Sequence, residues 1–349
     1  MPGYPTTPDE TRVAPEILLN LVQSIFARCG MSSEHALLLA GSLVVADARG
    51  VHSHGVLRVP EYVTKLTVGG VNPQGQPFVA RDSGAVLVVD GDNSMGQIAC
   101  HFAMNQAIER ASTHGIAAAA VRGSNHCGAL CYFAQMALQH DMIGIATTNA
   151  LPTMAPWGGR EKILGINPLA VAIPAGEEPH IVLDAAFSAS SHGKIRVYRQ
   201  KGVPIPEGWA LNCDGHPTTD AAEAIEGLLR PIGEYKGTGL AIIMGILSSM
   251  LSGAAFGTEL GNMSDGPKPG LDGQFVLALN IAAFEDPALF KSRVDGVVRQ
   301  IRASLPAPGF ERCYAPGELE HILEENYRRE GIPLNRETIA GLEALLQPV

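Results

Sequence analysis

The chain has 349 residues, 46% of them hydrophobic and 17% charged, which allows two or three domains around a large core and excludes a disordered polyelectrolyte. Its formal net charge of -10 repels polyanions at long range, so no nucleic-acid partner is expected. Cys29, Cys100, Cys127, Cys131, Cys213 and Cys313 form no CxxC pair, and no basic-then-apolar leader opens the chain; a reducing, cytoplasmic setting is expected.

In chain order, residues 14–29 place Ile17, Leu18, Leu21, Val22 and Ile25 on one helical face, and Gly30 stops that helix. Ser32 or Ser33 then caps a second helix that runs to about Ala46. Residues 85–91 read as a strand, 97–112 as a helix and 116–121 as another strand, with further strands at 143–149 and 180–186. Gly239–Gly257 carries no charge over nearly the length that spans a bilayer. Its three serines, four glycines and missing aromatic belt predict a buried, closely packed helix and no membrane partner. After about Asp286 the chain turns helical through 287–305 and two later segments, while Gly- and Pro-rich loops fall at 69–77, 201–217, 261–273 and 304–317. Alternating elements with helical ends predict an α/β or α+β fold.

Several common sites are absent. No GxGxxG follows a strand and opens a helix, and YKGTG (Tyr235–Gly239) is too short for that motif or for a P-loop. HCGALC (His126–Cys131) lacks a second pair at zinc spacing, so no metal is expected. A hydrolase GxSxG elbow is missing too. The chemistry concentrates in RGVHSHGVLR, Arg49–Arg58. Gly50 and Gly55 allow a ligand close to the backbone, and Arg58 lies within a turn of His54 if the chain becomes helical there. Imidazole beside guanidinium suits a substrate with a carboxylate to anchor and a proton to move. The alternative is a turn whose histidines only bind backbone.

Six blocks carry a family resemblance: ADARGVHSHGVLRVPEY (46–62), RGSNHCGAL (122–130), APWGG (155–159), LGINPLAVAIP (164–174), GVPIPEGWALNCDGHPTTD (202–220) and PIGEYKGTGLA (231–241). In order and separation, from about residue 14 to 333, they resemble the malate/L-lactate dehydrogenase family, which is distinct from the Rossmann lactate dehydrogenases. That family includes ureidoglycolate dehydrogenase, diketogulonate reductase, sulfolactate dehydrogenase and piperideine-2-carboxylate reductase. The resemblance implies an oxidoreductase that uses NAD or NADP to interconvert a small 2-hydroxy acid and a 2-oxo acid by hydride transfer, or alternatively to reduce a cyclic imino acid. It implies a homodimer whose non-Rossmann nicotinamide-binding domain, residues 76–284, is built on a largely antiparallel sheet with an inserted helical subdomain. The helical segments 1–75 and 285–349 would form a second domain for substrate and dimer contacts.

By the same resemblance, His54 is the acid/base with Ser53 beside it, Arg58 grips the substrate carboxylate, and His126 competes for the role of base. Asn125, His126, Cys127, Gly128, Thr148, Asn149, Asp184, Ala185, Ala186, Lys236 and Arg312 fall where the family touches its cofactor, and Lys194 matches a site-lining charge. Cys127 stands where the family often has Phe, Phe187 and Ser188 where it has a Thr-Ser pair, and Ile166 where Thr is common; these departures leave the substrate open. A further cation at Lys194 would repel a cationic imine, so linear 2-oxo acids are expected to be the better substrates. The rival from another class is a catalytically silent sensor of a nicotinamide or a carboxylate. Retention of His54, Arg58 and Lys236 together argues against it.

Overall fold

The computed structural model describes residues 10–200, 202–263 and 266–347. Its main sheet has seven strands in the order 78–82, 86–90, 116–124, 272–280, 142–148, 169–173, 181–185. Strands 86–90 and 116–124 run parallel, and the other neighbouring pairs run antiparallel. A parallel pair needs a crossover, which the helix Gly96–His114 supplies. Ala99, Ala103, Ala107 and Ala111 recur every four residues along it and are all fully buried against the sheet. These small side chains let the helix lie close over the equally small Ala117 and Ala119.

The expected first two helices form at Pro15–Arg28 and Ser33–Ala48, the second capped by Ser32 Oγ accepting from the His35 N–H. Ile17 corrects the predicted face: it is 64% exposed, and Leu18, Val22, Ile25 and Phe26 form the buried stripe. Ile17 sits about 100° around the helix from Leu18, outside that stripe. Strand Glu10–Val13 pairs antiparallel with Ile332–Asn335, and Leu334 and Leu342 share a core with the first three helices, so the first and last described strands pack together. A third core lies on a small sheet ordered 217–218, 210–211, 228–229, 152–154, 164–165.

Two expectations change. The apolar run forms the helix Tyr235–Ser249 and ends before Gly257. It is not buried all round: Gly237, Ala241, Gly245, Ser248 and Ser249 face inward, while Leu240, Ile243 and Ile246 are exposed. A side chain added at Gly245 would strike Asn167 and Phe256, so close packing selects the small residues and turns the large aliphatic ones outward. Among the described residues no helix is long and apolar enough to cross a membrane. The loop expected at 261–273 ends at Leu271, and Asp272–Asn280 is the central strand of the main sheet. Residues 264 and 265 of that loop, and Lys201 of the loop at 201–217, lie outside the described residues.

Candidate active site

The histidine motif is held from beneath by Asp47, near the end of the helix Ser33–Ala48. This buried carboxylate bonds His52 Nδ1 through Oδ1 and accepts the Val56 N–H through Oδ2, both at 2.7 Å. A methyl group at position 55 would overlap that carboxylate, so Gly55 is required for the clamp. Two short turns, His52–His54 and Val56–Arg58, then feed the helix Val59–Thr67. Arg58 Nε donates to Ser53 O at 2.9 Å and Nη1 to Glu61 at 2.8 Å, which aims the guanidinium across the motif.

The fold brings His54 and His126 together from positions far apart in sequence. Their rings stack 5.7 Å apart at 15°, and Ser53 Oγ lies 3.0 Å from His54 Nδ1. Burial, helped by the Arg58 charge, holds His54 down at about 4. His126 is held well below its ordinary value by burial, then by Arg58 and His54. Both imidazoles are therefore neutral in the free protein at neutral pH.

Tyr62, not singled out in the sequence, fixes the tautomer of His126. Gln97 Nε2 donates to the Tyr62 hydroxyl at 3.2 Å, so the hydroxyl donates its own proton to His126 Nδ1 at 2.6 Å. With the Gln97 amide oriented this way, His126 carries its proton on Nε2. Burial raises the phenol of Tyr62, which keeps it a donor. Its only sequence signal is its place one turn beyond Arg58 on an amphipathic helix.

Asn125 supports His126 from behind. Its amide donates to Asn93 Oδ1 at 3.0 Å and to Ser94 O at 2.9 Å, and its oxygen accepts the Gly270 N–H at 2.9 Å. Thr148 Oγ1 donates to Gly273 O at 3.0 Å, and Asn149 Oδ1 accepts the Gly273 N–H at 3.0 Å. These two side chains lash the end of their strand to the central one. Cys127 is buried, and burial pushes its thiol up to about 12. Gly128 has φ +76 with Gln97 Nε2 3.0 Å from the position a Cβ would take.

A second cluster flanks this one. Asp184, next to last in the edge strand Ile181–Ala185, accepts the Cys131 N–H at 2.8 Å with a carboxyl that burial raises, and half-buried Ala185 and Ala186 follow. Backbone bonds from Ile232 to Phe187 and from Phe187 to Ile166 set this segment against the start of the helix Tyr235–Ser249. There Lys236 is exposed and the buried Thr238 hydroxyl has no partner. A helix N-terminus, a lysine, an unpaired hydroxyl and a carboxylate form a donor set that fits a dinucleotide's diphosphate and ribose hydroxyls.

Two expected charges are engaged elsewhere. Lys194 Nζ lies 4.8 Å over the Trp209 ring, although neighbouring Gly193 approaches Ser53. Arg312 pairs with Glu318 and stacks 4.5 Å over Tyr314, in a loop whose Pro316 O accepts the Val182 N–H.

A stacked imidazole pair beside a guanidinium, next to a dinucleotide-type donor set on a mostly antiparallel sheet, defines a nicotinamide-dependent oxidoreductase outside the Rossmann class. The profile of the malate/L-lactate dehydrogenase family matches residues 13–343, and the chain belongs to that family. It is 37% identical to the malate dehydrogenase of Pyrococcus horikoshii, over 97% of this chain and 95% of that one. The structure of sulfolactate dehydrogenase from Methanocaldococcus jannaschii superposes with a TM-score of 0.90 at 36% identity, covering 96% of each chain. The Delta(1)-pyrroline-2-carboxylate/Delta(1)-piperideine-2-carboxylate reductase of Pseudomonas putida is 32% identical over 98% of this chain and 99% of that one. The protein is thus an NAD- or NADP-dependent oxidoreductase of the 2-hydroxy acid and 2-oxo acid class.

Proposed function

We propose that His54 is the acid/base of this reaction and that Arg58 anchors the substrate's C1 carboxylate, the stacked His54–His126 pair beside Arg58 being the observation that carries the reading. The bound nicotinamide supplies the hydride exchanged at C2. Arg58 orients C1, which points the C2 oxygen at the two imidazoles. His126 donates a hydrogen bond from Nε2 to that oxygen, and Tyr62 keeps the imidazole in the tautomer that can do so. His54 takes the hydroxyl proton in oxidation and returns it in reduction, with Ser53 orienting its ring. A substrate carboxylate on Arg58 offsets one of the two causes that depress His54, raising its proton affinity as the substrate arrives.

Asp184, Ala185, Ala186, Lys236 and the 125–128 and 148–149 segments hold the NAD or NADP. Segments 1–75 and 285–349 form the substrate domain in this reading, which is supported by the core that residues 13–71 share with residues 327–346. Homodimer formation is supported by the exposed aliphatic face of the helix Tyr235–Ser249, and the reducing cytoplasm by six free thiols. The second reading, reduction of a cyclic imino acid, gains from Lys194: its ammonium rests on Trp209, a contact that competes with its facing a cationic imine.

Replacing His54 by Ala should lower kcat about 100- to 10,000-fold with cofactor binding unchanged. A crippled His126→Ala beside a nearly normal His54→Ala would overturn the assignment.

A further inference from the structure

The proposed mechanism leaves one buried carboxyl unused. Asp272 opens the central strand and pairs across from Ser124, two residues before His126. A side chain at Gly273 would overlap Ser248 O of the helix Tyr235–Ser249, so position 273 points to that helix. Gln274, on the opposite face, donates to Asn125 O at 3.2 Å. The pairing with strand 116–124 shifts register between Asp272 and Gln274, so the contacts of Asp272, and not the alternation, place it on the side of Asn125. Its carboxyl is tucked between Gly270 and Asn125: a Cβ on Gly270 would overlap Asp272 Oδ2 and lie 2.8 Å from Asn125 Oδ1. It is close enough to Cys127 to help raise that thiol.

The helix Val59–Thr67 connects this carboxyl to the anchor. Arg58 stands at its start, Tyr62 faces His126 one turn on, and the fully buried Lys65 follows nearly one turn later. Seven residues of helix separate Arg58 from Lys65, about 10 Å. Lys65 donates to the carbonyls of Asn262 and Lys268, and it is the cation acting on Asp272. Arg58, the Tyr62 contact to His126 and the Lys65 cation that acts on Asp272 thus succeed one another along one face of this helix. A substrate with C1 on Arg58 and C2 at the imidazoles would have its remaining carbons run along that face toward Asp272. Among the described residues Asp272 forms no ion pair, and burial lifts its carboxyl to about 7.

We propose that Asp272 determines specificity at the distal end of the substrate, rejecting a second anionic group there and accepting a neutral or cationic hydrogen-bond donor. Malate and sulfolactate, named for two of the relatives, each carry a second anion. This chain would therefore favour a monoanionic substrate, such as a 2-oxo acid ending in a hydroxyl or an amine. The inference rests on the placement of C1 at Arg58 proposed above.

The test compares three four-carbon 2-oxo acids that differ only at C4: oxaloacetate, 2-oxobutanoate and 4-hydroxy-2-oxobutanoate. Reduction is followed by nicotinamide absorbance at about pH 8, where the carboxyl is mostly ionised. The native enzyme should prefer the hydroxyl compound over oxaloacetate by about 10- to 100-fold in kcat/KM. Asp272→Asn, nearly isosteric, should raise kcat/KM for oxaloacetate at least about 10-fold and leave 2-oxobutanoate within about 3-fold. A native preference for oxaloacetate, or ratios unmoved in Asp272→Asn, would overturn the proposal while leaving the Arg58 anchor standing. Arg58→Ala separates the two: it should depress all three substrates alike. If it spares them, or if the native enzyme turns over none of them, the anchor placement falls and the proposal falls with it. Should Asp272→Asn fail to fold, the native preference alone decides.

Discussion

Replacing Tyr62 by Phe tests whether the tautomer of His126 matters to catalysis. The ring stays in its fully buried site, and only the oxygen leaves, taking with it the 2.6 Å bond to His126 and the 3.2 Å bond from Gln97. Gln97 Oε1 is already without a partner, so the amide gains no easy replacement. An unsatisfied buried polar group costs about 1–3 kcal/mol. If the His126 bond serves to present Nε2–H to the substrate oxygen, that loss appears in the transition state as a fall in kcat of about 5- to 150-fold. Cofactor affinity should change less than kcat, since the phenol reaches the cofactor-holding segment only through His126. The assay is steady-state kinetics under nicotinamide absorbance, paired with imidazole nitrogen NMR to read the tautomer. A kcat within about twofold of native, with the His126 nitrogen signals unmoved, would refute the reasoning.

The depressed proton affinity of His54 gives a pH prediction with a definite sign. The free enzyme holds the base form above about 4, so kcat/KM for hydroxy-acid oxidation should stay level as pH falls through 6.5, the ordinary histidine value, and drop only near 4 to 5. An acid limb centred at the ordinary value would mean that burial does not set this group. For the assembly, Ile243→Glu places a charge on the exposed aliphatic face of the helix Tyr235–Ser249. It should shift the sedimentation coefficient to that of a monomer; an unchanged dimer would place the interface elsewhere.

The motif Arg49–Arg58 was legible because it concentrates chemically costly side chains between glycines, although His54 and Arg58 sit on two short turns separated by an extended Gly55 and not on one helix. Its supports were not. Asp47 lies at the end of an apolar helix where an acidic residue usually faces water, and nothing local says that it turns under the loop to meet Val56 and His52. Tyr62 and His126 are 64 positions apart, a pairing that only the tertiary fold creates. The central strand was missed because QFVLALN is covered on both faces and so lacks the alternation of a half-exposed strand. Hydropathy misjudged Gly239–Gly257 for a related reason: it counts apolar atoms and not how near the backbone must come. Lys194 fell at a site-lining position by resemblance, yet Trp209 captures its ammonium, since an aromatic face beside a flexible four-carbon stem is an attractive resting place.

The placement of Asp272–Asn280 at the middle of the sheet has a consequence for how the chain is made. Its neighbours, 116–124 and 142–148, leave the ribosome about 155 and 130 residues earlier and do not pair with each other. At about 5–20 residues per second of synthesis, they wait roughly 6–30 s with unmet edges. The nascent chain thus exposes two half-sheets that fit one missing strand, an interval in which a chaperone, or a neighbouring ribosome's product, competes for the gap. The same strand brings in Asp272 and the backbone that Asn149 and Thr148 grip, so the sheet closes and the segments on either side of it are fixed in one late event.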